Sequence, residues 1–103
     1  MSFQLDKEIT PQELSERLKS GERMNILDVR EPEEWAEGHI PGAKHIPLGQ
    51  LYNRHVELDP EQEHVVVCRS GGRSAMACEL LSEGGYNVIN MVGGMLAWPG
   101  DIE

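Results

Sequence analysis

The sequence predicts an α/β domain with a largely parallel sheet covered on both faces. Three observations carry this. Short apolar, β-prone runs recur at 24–29, 64–68 and 88–91. Between them lie segments with helix caps or helical spacing, and the alternation runs along the whole chain without a repeat, low-complexity tract or linker.

Thr10, Pro11 and Glu13 form a helix start, with Thr at the N-cap, Pro at the first helical position and Glu completing a capping box. Ile9 and Leu14 suit the hydrophobic staple, Leu14 and Leu18 give a helical stripe, and Gly21 marks a stop, so this helix ends near Ser20. Residues 24–29, "MNILDV", are too short and apolar for a normal helix and suit a buried strand, which delivers Asp28 and Arg30 to a surface edge. Pro32, followed by Glu33, Glu34 and Trp35, opens a short helix closed by Gly38, and 43–46 give a short strand after a turn-rich stretch. A further short helix is expected over 48–55, broken by Asp59 and Pro60. Residues 64–68 are the most β-prone run and put Cys68 at a strand end. Residues 73–83 read as a helix with Met76, Ala77, Leu80 and Leu81 on one face and Gly84 and Gly85 as terminators. Residues 88–91 supply the next strand, and "GGMLAW" starts a last helical turn.

The 103 residues suffice for one domain, 1–103, with a continuous core. A formal net charge of −9 argues against general nucleic-acid or anionic-membrane binding, which both need clustered Lys and Arg. The start "MSFQLDKEIT" lacks a basic segment followed by an apolar one, so neither a signal peptide nor a membrane span is expected, and a cytoplasmic location is. Two cysteines ten positions apart offer no zinc framework and no disulfide scaffold, and no metal or cofactor is expected.

Against this acidic background the stretch "VVVCRSGGRSA" places a thiol before two glycines and between two arginines. In an open parallel sheet, ligands bind beyond the C-terminal strand ends, where the next helix presents free N–H groups. Gly71 and Gly72 let the backbone curl into an anion nest around the sulfur. Such a setting lowers a cysteine pKa from about 8.5 toward roughly 3.5–7.5, making Cys68 a nucleophile at neutral pH. The same donors would clamp an incoming oxyanion, with Arg73 as the inward fork and Arg69 at the mouth.

These residues resemble the single-domain rhodanese family of sulfurtransferases. "ILDVREPEEWAEGHIPGAKHIPL" at 26–48 is similar to the first family signature, and "VVVCRSGGRSAMACELLSEGGYNVINMVGGMLAW" at 65–98 to the second. The resemblance implies a three-layer fold with a five-stranded, mostly parallel sheet of order 1-5-4-2-3 and helices on both faces. It also implies Cys68 as sulfur carrier, with substrate held by Arg69, Ser70, Gly71, Gly72, Arg73 and Ser74. The reaction implied is a double displacement. Cys68 takes the outer sulfur of thiosulfate or a related small anionic donor, releases sulfite, and passes the persulfide sulfur to a small-molecule or protein thiol or to cyanide. Sulfurtransferases of the family use a six-residue loop from the cysteine and the related phosphatases one residue more; Cys68 to Arg73 is six. One departure stands out. Tandem-domain thiosulfate enzymes carry a further arginine downstream of Asp-x-Arg, where this chain continues into Glu31, Pro32, Glu33 and Glu34, which points to thiosulfate as a surrogate donor unless that acidic segment simply faces solvent.

Other readings stand beside these. Cys68 alone would pass for a small hydrophobe ending a core strand, and Arg69 and Arg73 for solvated residues. Ser70 and Ser74 suit loop capping. Asp28 and Arg30 fit a structural ion pair that braces loops better than an acid and base. His39 fits backbone hydrogen bonding, His45, His55 and His64 show no ligand spacing, Cys78 fits packing, and Trp35 and Trp98 fit core or cover positions. Two rival functions remain: a phosphatase or arsenate reductase using the same nucleophile, and a non-catalytic binding or regulatory module.

Overall fold

The computed structural model describes residues 7–103. Its element order is β1 (Glu8–Ile9), α1 (Pro11–Lys19), β2 (Asn25–Asp28), α2 (Pro32–Ala36), β3 (Lys44–His45), α3 (Leu51–Arg54), β4 (Glu63–Val67), α4 (Gly72–Glu83) and β5 (Asn87–Met91), with short 3-10 turns at Leu48–Gln50, His55–Glu57 and Met95–Ala97. The five strands form one sheet in the order β1-β5-β4-β2-β3, and every pairing in it is parallel. The predicted fold class and strand order are therefore those of the molecule.

Side chains alternate across the central strands, as the period of two requires. Val66 and Cys68 face a cluster with Leu27, Leu51, Ala77, Cys78 and Leu81, which packs α3 and α4 on one side. Val65 and Val67 face the opposite cluster with Leu14, Ile26, Ile89 and Met91, covered by α1 and by Trp98 near the C-terminus. Two apolar faces on β4 explain why its sequence is a continuous run of valines.

Local chemistry sets several boundaries. Thr10 accepts from the Glu13 N–H at 3.1 Å while the Glu13 carboxylate accepts from the Thr10 N–H at 3.1 Å, the reciprocal capping box. Ile9 and Leu14 meet in one buried cluster, as the staple requires. A second capping box joins Glu31 and Glu34 at the start of α2.

Three expectations need correction. The stretch 48–55 is not one helix: a 3-10 turn, the single α turn of α3 and another 3-10 turn share it and run on to Glu57. Strand β4 ends at Val67, so Cys68 is the first loop residue. The buried face of α4 is Ser74, Ala77, Cys78 and Leu81, whereas Met76 and Leu80 are 58% and 50% exposed. Close approach of α4 to the sheet selects small side chains, so the largest apolar residues did not mark the inner face. Trp35 covers a loop rather than the core: it stacks between His39, at 3.5 Å, and His45, at 4.6 Å.

Candidate active site

The site is built where β4 hands over to α4. Gly71, at φ +108°, takes a backbone conformation that suits glycine, and it turns the chain so that the first N–H groups of α4 face back toward the strand end. The Cys68 sulfur accepts from the Gly71 N–H at 3.1 Å and from the Ser74 N–H at 3.2 Å, and the Ser74 Oγ lies 3.3 Å away. That hydroxyl serves either protonation state, accepting from the thiol or turning its own proton to the thiolate. Burial pushes the Cys68 thiol up, but hydrogen bonds from the Ser74 hydroxyl and from the N–H groups of Ser74, Gly71 and Ser70 outweigh it and leave the thiol below its ordinary value. Cys68 is fully buried, so a reagent reaches the sulfur only after the loop or the cysteine side chain moves.

Cys78, one helical turn along α4 from Ser74, has the opposite environment. Burial and the neighbouring Cys68 push it up to about 12, so it packs as an apolar group. Environment, not residue type, separates the two thiols.

Two residues outside the cysteine loop hold it in place. Asn90, near the end of β5, accepts from the Ser74 hydroxyl through Oδ1, and its amide reaches the Gly71 carbonyl at 3.5 Å. Gly94 sits at φ +62°, where an added Cβ would stand 2.3 Å from the Arg69 carbonyl oxygen. That close approach lets Met95 and Leu96 donate their N–H groups to the carbonyls of Cys68 and Arg69 at 2.8 and 3.0 Å. Sequence reasoning passed over both. The available signals were a polar residue inside an apolar strand run and a paired glycine directly after it.

The arginines divide. Arg73 does not point into the nest as an inward fork. Its two terminal nitrogens donate to the two carboxylate oxygens of Glu34 at 2.8 Å each, because α2 lies across from the start of α4 and brings a carboxylate to it. Glu34 also accepts from the Glu31 N–H at 2.8 Å. Arg69 is exposed and lines an open cleft of about 610 Å³ with Arg30, Glu34, Glu37, Met95 and Leu96. The acidic segment after Arg30 thus contributes Glu34 to the site, while Glu31 and Glu33 face solvent.

Asp28 and Arg30 form a buried ion pair, with Arg30 Nε donating to both carboxylate oxygens at 3.0 Å and a terminal nitrogen to Asp28 Oδ2 at 2.8 Å. The same nitrogen donates to the Gly38 carbonyl at 2.8 Å, tying the end of α2 to β2. His39 Nδ1 lies 3.0 Å from the Trp35 carbonyl oxygen and His45 Nε2 lies 2.8 Å from that of Arg30, so both bond backbone. These contacts fix the wall that carries Glu34.

A hydrogen-bonded cysteine on a strand-to-helix loop of a five-stranded parallel sheet defines a class of thiol-bearing α/β domains. Within that class the family description "Rhodanese-like domain" matches residues 10–101, and the chain belongs to that family. It is 44% identical over 97 residues to the Bacillus subtilis protein named "Putative sulfurtransferase YtwF", covering 94% of each chain. It is 40% identical over 92 residues to a protein named "Sulfurtransferase" from Allochromatium vinosum, covering 88% of this chain and 86% of that one. A crystal structure of a rhodanese-like domain protein from Staphylococcus aureus superposes with a TM-score of 0.89 at 37% identity, covering 94% of this chain and 96% of that chain.

Proposed function

We propose that the protein is a sulfurtransferase that carries sulfane sulfur as a persulfide on Cys68. The observation that carries this reading is the sulfur itself, met by two backbone N–H groups and a hydroxyl that favour its ionised form. Relatives named as sulfurtransferases along nearly their whole length support it.

With thiosulfate as donor, the Cys68 thiolate attacks the outer sulfur. A new S–S bond forms, the donor S–S bond breaks, and its electron pair leaves on sulfite. The product is a Cys68 persulfide anion, whose terminal sulfur the loop donors of Ser70, Gly71, Gly72 and Ser74 can share. A thiolate or cyanide then attacks that terminal sulfur and the pair returns to Cys68. Cys78, with its raised pKa, supplies no resolving thiolate. Two free thiols, one of them reactive, suit a reducing compartment such as the cytoplasm.

The test is intact mass. Reduced protein exposed to thiosulfate and desalted should gain the mass of one sulfur, and cyanide should remove it as thiocyanate. Cys68→Ser should show neither step, whereas Cys78→Ser should show both. A protein that turns over phosphoesters and never gains sulfur would be a phosphatase; one that does neither with any donor would be a binding module.

A further inference from the structure

The cleft beside the cysteine loop is lined by two arginines, Arg30 and Arg69, and by two carboxylates, Glu34 and Glu37, and Arg73 is bonded to Glu34 at its wall. Arg30 is held by buried Asp28. Arg73 is held by Glu34 through two bonds of 2.8 Å. Arg69 and Glu37 both line the cleft, and neither has an ion-pair partner among the described residues. Two guanidinium groups and two carboxylates therefore line the cleft, and the charge of Arg73 is matched by the Glu34 it bonds. A small dianion entering this mouth meets no net attraction, and it gains the fork of Arg73 only by displacing Glu34 from a bidentate pair.

Displacement is opposed further by the setting of Glu34. Hydrogen bonds from Arg73 hold its carboxyl down at about 2, so the pair is intact throughout the neutral range. The Glu31 N–H fixes the same carboxylate at the helix start. The rim beside Arg69 is apolar by contrast, formed by Met95 and by Leu96, which is 68% exposed. A donor that brings its sulfur on a carbon stem fits that rim, and one carrying two negative charges does not.

On the sulfurtransferase reading above, we propose that Glu34 is the specificity-determining residue of this site: by occupying Arg73 it disfavours inorganic dianions and selects organic persulfides as sulfur donors. The charging step is balanced without a further reagent. The Cys68 thiolate attacks the terminal sulfur of R–S–SH, a bond forms between them, the donor S–S bond breaks, and its electron pair leaves as R–S⁻. The proton carried on the new persulfide passes to R–S⁻, giving R–SH and the Cys68 persulfide anion.

Single-turnover charging of Cys68, followed by intact mass against donor concentration, tests this with thiosulfate and with the persulfide of N-acetylcysteine methyl ester, which has no carboxylate. Wild type should charge faster with the persulfide. Glu34→Gln should raise the thiosulfate-to-persulfide ratio of second-order rate constants about tenfold, the change expected when a charged hydrogen bond is freed for the ligand. The gain should lie in a lower half-saturation concentration for thiosulfate, not in the limiting rate. The ratio cancels any change in thiolate population, which acts on both donors alike. In Glu34→Gln combined with Arg73→Ala the gain should vanish. A turnover-independent measurement accompanies it: sulfate should protect Cys68 from iodoacetamide at lower concentration in Glu34→Gln than in wild type. An unchanged donor ratio in a Glu34→Gln protein that still charges overturns the role of Glu34 and leaves sulfur transfer standing. Failure of every variant to charge with either donor overturns sulfur transfer and the donor preference together, whatever sulfate does.

Discussion

Two cysteines of one helix-loop segment differ because of what each sulfur touches. Cys68 is as buried as Cys78, yet N–H groups of Gly71 and Ser74 end on its sulfur and compensate its charge, whereas burial at Cys78 goes uncompensated. Ser74 links this nest to Asn90, and so to the far strand of the site. Ser74→Ala removes the one hydroxyl proton that turns either to the thiolate or to the Asn90 carbonyl, and the acceptor for the protonated thiol. We expect the pH midpoint of iodoacetamide alkylation at Cys68 to rise by about one unit, equivalent to about 1.4 kcal/mol. Because the folded-state pKa of Cys68 is lowered, the thiolate contributes stability above the ordinary cysteine value, and that contribution is lost as pH falls through the folded value. Ser74→Ala should shrink it. An alkylation midpoint identical to wild type would remove Ser74 from thiolate stabilisation.

At the scale of elements, the cysteine loop is held by a turn from a distant part of the chain. Met95 and Leu96 bond the carbonyls of Cys68 and Arg69 because Gly94 lets the two backbones touch. Gly94→Ala places a methyl on the Arg69 carbonyl and forces a positive φ on alanine, a strain of about 1–3 kcal/mol before the clash is counted. The urea midpoint should fall accordingly, and persulfide formation should fall further than stability alone explains, because the nest is displaced. The elements differ in how far the sequence disclosed them. Helix α1 was legible from Thr10 to Ser20, since its capping box and staple are contacts between near neighbours in sequence. The inner face of α4 was misread, since Ser74, Ala77 and Cys78 are buried by close packing on the sheet and not by their own hydrophobicity. Strand β1 is two residues long and carries no periodic signal of its own; its pairing with β5 makes it a strand.

Across the whole molecule the chain is strongly acidic, and two of the arginines near the site, Arg30 and Arg73, are held by carboxylates. The Glu34–Arg73 pair spans from α2 to α4 and is only partly exposed, at 25% and 32% of the two side chains. Its worth is roughly 1 kcal/mol at neutral pH, given that exposure. Since the Glu34 pKa is depressed from 4.5 to about 2, this stabilisation is complete above the unfolded value and is lost as pH falls toward about 2. The stability difference between wild type and Glu34→Gln, taken from urea unfolding, should therefore be flat at neutral pH and narrow between pH 4.5 and about 2. A difference independent of pH across that window would show that the charge of Glu34 does not stabilise the fold.

By itself the sequence determined the α/β class, the strand-loop-helix context of Cys68, and the pairing of Asp28 with Arg30, because apolar runs, caps, turn glycines and a two-residue spacing are all local. Only the tertiary structure decided which partners the site's charges take. Glu34 meets Arg73 across 39 positions. Gly94 meets Arg69, and Asn90 meets Ser74. Each contact joins helix starts, loops or strand ends that the parallel sheet brings together, and a parallel pair sets the ends of distant segments side by side without leaving a mark in either segment.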